Sequence, residues 1–102
     1  MAGGSTVDRI ELLTAEREKV LPVLDDALAR HRSLLGHSIA RTEARVNELA
    51  ARLQVDPERL LAGQVSRTEH SEMACLELEG ELALLQHLRD QLASLEQLTV
   101  CR

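Results

Sequence analysis

Seven side chains able to hold a metal ion or move a proton gather in the middle of this 102-residue chain: His31, His37, Glu43, Glu69, His70, Glu72 and Cys75. Imidazole, carboxylate and thiolate are the ligands that zinc and its neighbours take. Glu72 and Cys75, three apart, would share one helical face, a spacing two ligands can use. The spacings that mark a di-metal bundle or a helical zinc site, Glu-x-x-His and His-x-x-x-His, are both missing. A metal-binding helical bundle is therefore only an alternative reading, with no metal ligand assigned and no cofactor expected. Nucleophilic chemistry fares no better. Cys75 and His70 are five residues apart, which places them on different faces of a helix. Ser38 and Ser71 follow His37 and His70 without an orienting acid, and no glycine-rich phosphate loop occurs. No catalytic residue is assigned, and the chain is read as not an enzyme.

The elements that must carry these residues are legible from the leucines. Folding the chain about Pro57 sets Leu21 opposite Leu95, Leu24 opposite Leu92 and Leu28 opposite Leu88. The ladder continues with His31 opposite Leu85, Leu35 opposite Leu82, Ile39 opposite Leu78 and Thr42 opposite Cys75. This is the pattern of two antiparallel helices with facing apolar seams. The fold expected is all-α, a coiled-coil-like antiparallel two-helix hairpin. Its domain spans 7–99 after a disordered lead at 1–6 and before a tail at 100–102. Arm one covers 7–54, the turn 55–57, and arm two 57–99.

The punctuation is specific. Ser5 or Thr6 suits a helix N-cap, with Asp8 and Glu11 near the positive end of the helix dipole. Pro22 removes one backbone donor and predicts a kink or a short extra helix ending near Val20. Asp56 reads as an N-cap and Pro57 as the first residue of the next helix. Gly36, Gly63 and Gly80 are soft spots, and Gly36 and Gly80 would lie level across the hairpin, as a hinge or a close approach. His31 falls in the seam, where burial would disfavour its charged form. The ordinary expectation is that it leans to the seam edge and keeps a nitrogen in water.

Two features reach beyond one hairpin. Val7, Ile10 and Leu13 find no partner in the ladder. A further apolar stripe runs through Leu13, Val20, Ala27 and Leu34 on arm one, and through Leu76, Ala83 or Leu84 and Leu98 on arm two. A second stripe wants a second surface, so a homodimer forming a four-helix bundle is expected. Leu12, Leu13, Val20, Leu34, Leu76, Leu84 and Leu98 are its candidate contacts with a second copy or another protein.

Composition narrows the function. The chain holds twenty leucines and no Phe, Trp or Tyr, and its net charge is −5. Ligand pockets and base-stacking surfaces lean on aromatics. Negative charge repels phosphate backbones and acidic membranes. No apolar run approaches the ~20 residues of a membrane span, and Met1 to Thr6 do not resemble a signal peptide. Cys75 and Cys101 make no disulfide framework, so a cytoplasmic location is expected.

One stretch points elsewhere. Glu48 to Leu61 resembles the helix-turn-helix core of bacterial regulators, with Ala50, Val55 and Leu60 at its small and apolar positions. The resemblance implies a DNA-binding regulator reading through 48–65. Gln54 stands where that turn has glycine, and Asp56 and Glu58 bring the wrong charge for phosphate. The reading that composition and patterning favour is a small acidic protein–protein interaction module: a scaffold, an adaptor or a chaperone-like subunit.

Overall fold

The computed structural model describes the backbone of residues 5–100 and the side chains of residues 16–98. Three helices follow in order: α1 (Ser5–Leu53), α2 (Pro57–Leu61) and α3 (Glu72–Val100). No strand occurs among the described residues. The chain divides into two compact units between Arg32 and Ser33. The described part of the first is helix throughout; the second holds the remainder of α1 with α2 and α3.

Of the kink or short extra helix expected at Pro22, the separate helix does not form, for α1 runs through the proline as helix. Proline deletes one amide donor and crowds the preceding turn. A helix formed on both sides absorbs that loss. The caps expected at Ser5 or Thr6, the unpartnered Val7, Ile10 and Leu13, and Cys101 lie outside the described side chains.

Arm two is not one helix from Pro57. Asp56 caps α2 as its sequence implies, its side chain accepting a hydrogen bond from the Glu58 amide at 3.0 Å. The helix stops after Leu61. Gly63 adopts φ 74°, and the Gly63 and Gln64 amides donate to the carbonyls of Leu60 and Arg59. That pair of bonds with a left-handed glycine is a Schellman ending. The chain starts a helix again at Glu72, where Thr68 and Ser71 cap reciprocally. The Thr68 amide donates to Ser71 Oγ at 2.9 Å, and the Ser71 amide to Thr68 Oγ1 at 3.2 Å. The turn expected at 55–57 is therefore a connection from Gln54 to Ser71 with α2 inside it.

This connection resets the register of the hairpin. In the second unit α1 and α3 run antiparallel, with Arg45 paired to Glu77 and Arg89 to Glu43 at 2.9 Å. Ser38 and Arg45 line one groove with Leu88 and Glu81. Leu49 thus lies level with Leu78, Thr42 with Leu85, and Leu35 with Leu92. The expected pairs Leu35–Leu82, Ile39–Leu78 and Thr42–Cys75 are displaced by about ten residues, ~15 Å of helical rise. The apolar faces survive the slide because about ten residues is close to three steps of a 3.5-residue repeat.

The core sits at the turn end of the unit. Val46, Leu49, Leu60, Cys75, Leu78 and Leu85 form it, with Ile39, Ala50, Leu53, Val55, Val65 and Leu82 packed against them. Leu49 and Leu78 are fully sealed, and Leu60 of α2 is 2% exposed. Each such leucine contributes about 1.5–3 kcal/mol of burial. Leu60, Val55 and Val65 all come from or beside the connection, so the loop is part of the core.

Candidate protein interaction surface

α3 presents two opposite faces. Cys75, Leu78 and Leu85 face the core. At about 100° per residue, Met73, Leu76, Gly80, Leu84, His87, Gln91, Ser94 and Leu98 fall on the opposite side. All of them are exposed, and Met73 (76%), Leu76 (49%), Leu84 (45%) and Leu98 (55%) leave large apolar area at the surface. Of the charged residues of α3, Glu77 borders this arc beside Leu84, and the others lie off it. Large apolar side chains aligned along one helix face are the kind of surface that interaction sites carry.

The structure places the remaining candidates as follows. Leu34 (64%) and Val20 (39%) are exposed, as is Ala27; Leu12 and Leu13 lie outside the described side chains. Of the assigned seam, Leu35, Cys75, Leu78, Leu85 and Leu95 are buried, and Leu21, Leu28, Ile39, Leu82, Leu88 and Leu92 are half-buried. Leu24 and His31 depart from their assignment, for both are exposed. Both belong to the first unit, whose described part is a single helix. An imidazole also keeps its nitrogens hydrated wherever it can reach water. Thr42 is buried, and its hydroxyl donates to the Ser38 carbonyl at 2.8 Å. Gly36 and Gly80 are not level and make no close approach, since an added Cβ at either would meet nothing within 4 Å.

Electrostatics brace the unit from outside. Arg67, in the connection, pairs with Glu72 at 3.2 Å and also with Glu79, tying the loop to α3. Arg45 bridges Glu77 and Glu48. Both guanidinium groups are held above their ordinary pKa, Arg45 chiefly by its hydrogen bond to Glu77 and Arg67 chiefly by that to Glu79. Arg67 carried no signal in a sequence reading that ran arm two straight through it. The Thr68-x-x-Ser71 spacing was the available clue to the new helix start.

The chemistry candidates do not converge. No group of three His, Cys, Asp or Glu side chains able to hold a metal ion assembles among the described residues. Glu43 pairs with Arg89 across the hairpin and meets none of the other candidates. Cys75 is a free, buried thiol.

The helix-turn-helix resemblance has a local counterpart. Gln54 takes φ 55°, the left-handed conformation that the turn glycine would supply, and Ala50, Val55 and Leu60 meet at the core. Yet α2 has five residues, about 7 Å of helix. Around it, Arg52 is engaged by Glu48 and Arg67 by Glu72 and Glu79.

Comparison of the chain with protein-family models, with curated proteins and with solved structures finds no match in any of the three.

Proposed function

We propose that this chain is a small acidic protein–protein interaction module, of the scaffold, adaptor or chaperone-like kind, that docks through the outward face of α3. The carrying observation is that Met73, Leu76, Leu84 and Leu98 stand exposed along one face of α3. A second copy is the occupant that the strip fits best. Laid antiparallel about His87, two α3 helices set Leu76 against Leu98 and Gly80 against Ser94, which is the self-complementarity an isologous contact requires. The small residues let the helices come close, and the acidic groups stay at the rim, where two chains of charge −5 repel least. The result is a four-helix assembly built from two hairpins.

Light scattering on a sizing column, with refractive index as the concentration signal, tests this reading. The native chain should run at twice its 11.3 kDa mass, and Leu76→Asp at once. A native monomer at about 100 μM, a concentration where even weak self-association shows, would refute the second copy as occupant.

A second reading rests on the left-handed Gln54 and the Ala50, Val55 and Leu60 contacts: duplex DNA binding through 48–65. It requires salt-sensitive retention on heparin or duplex DNA, and the interaction module requires none.

A further inference from the structure

A groove of about 520 Å³ runs between α2 and the middle of α3, on a different side from the strip just described. Leu61, Leu82, Ala83 and Leu85 give it an apolar floor and edge. α2 turns its two leucines opposite ways: Leu60 is sealed in the core, while Leu61 is 61% exposed at the groove. Four charged residues stand around it, Asp56, Glu58, Glu79 and Arg89. Two are already answered within the chain, Glu79 by Arg67 and Arg89 by Glu43. Asp56 and Glu58 form no ion pair among the described residues, and Asp56 accepts only from a backbone amide. The uncompensated charge over the groove is therefore negative, and Arg59 of α2 does not line it.

We propose that this groove docks a basic amphipathic helix of a partner protein. Aliphatic side chains of that helix lie on Leu61, Leu82 and Ala83, and its lysines or arginines meet Asp56 and Glu58. Apolar anchors in a groove with opposite charge at the edge are the general means of reading such a helix. A second copy of this chain is a poor occupant, for it carries net charge −5 and would bring negative charge to a negative groove. Nucleic acids and anionic lipids are repelled by the same carboxylates.

The test uses the full chain and a labelled helical peptide of leucine, alanine and lysine, with a glutamate-for-lysine counterpart, read by fluorescence anisotropy. The lysine peptide should bind with an affinity that falls as salt rises, and the glutamate peptide should not bind. Glu58→Lys and Leu61→Lys should each weaken binding by about tenfold or more, both being exposed positions whose folding is checked by circular dichroism. Glu96→Lys makes the same charge change elsewhere on α3 and should shift affinity less than about threefold. Leu76→Asp, which reports on the α3 strip, should leave peptide binding in place whichever way the dimer experiment falls. Binding of both peptides alike, equal weakening by Glu96→Lys and Glu58→Lys, or no binding at all would overturn the proposal.

Discussion

Gln54 and Gly63 occupy equivalent positions at the two helix ends that flank α2. Each has a left-handed backbone, φ 55° and 74°. Each helix closes with the same pair of bonds: Gln54 to Ala51 and Val55 to Ala50 in α1, Gly63 to Leu60 and Gln64 to Arg59 in α2. Only one of the two positions carries the residue suited to it. Glycine is at ease there, and a side chain with a Cβ costs roughly 1–2 kcal/mol.

Gln54→Gly should therefore stabilise the protein by up to about 1 kcal/mol, and Gly63→Ala should destabilise it by a similar amount. Urea unfolding followed by far-ultraviolet circular dichroism measures both; fluorescence cannot, since Trp and Tyr are absent. Equal effects of the same sign would mean that the two ends are not equivalent.

The register makes a distance prediction. Ala44 lies level with Ala83 in the observed pairing, whereas the leucine ladder set it level with Met73. Spin labels at 44 and 83 should be closer than labels at 44 and 73 by about 8 Å, since the ~15 Å axial slide adds in quadrature to an interhelical spacing of about 9 Å. Pulsed electron resonance, with Cys75 and Cys101 changed to alanine, decides between the pairings.

Core and surface leucines should separate cleanly. Leu49→Ala and Leu78→Ala remove fully buried side chains and should each cost about 2–5 kcal/mol. Leu34→Ala, at a position 64% exposed, should stay within about 0.5 kcal/mol. Leu60→Ala should behave as a core substitution although it lies on a five-residue helix, and chemical denaturation of the set would reveal a peripheral α2 if it did not.

Arg67 ties the connection to α3 through Glu72 and Glu79. These pairs are partly exposed, so Arg67→Ala should change global stability little. Its local effect should be larger. Amide hydrogen exchange over 64–71 should speed up while that of 75–90 holds, because the loop loses its clamp and the core does not. Uniform acceleration across both segments would point to a global role instead.

The amino-acid sequence by itself determined that the chain is helical, that leucines line one face of each long helix, that Asp56 and Pro57 start a helix, and that Leu76, Leu84 and Leu98 belong off the core. These follow from local chemistry: side-chain period, capping oxygen and the missing proline donor act within one or two turns. The tertiary structure decided the rest. A leucine repeat looks the same after a slide of about three of its steps, so periodicity could not choose between Ile39 and Leu49 as the neighbour of Leu78. Gly63 ended α2 where a helix pattern would have carried on, and Leu60 packed into the core and held the connection there. The length of that connection, and not the ladder, sets where the arms meet. The α2–α3 groove exists only as its consequence, for Leu61 and Leu85 are brought together by the fold and by nothing in their spacing.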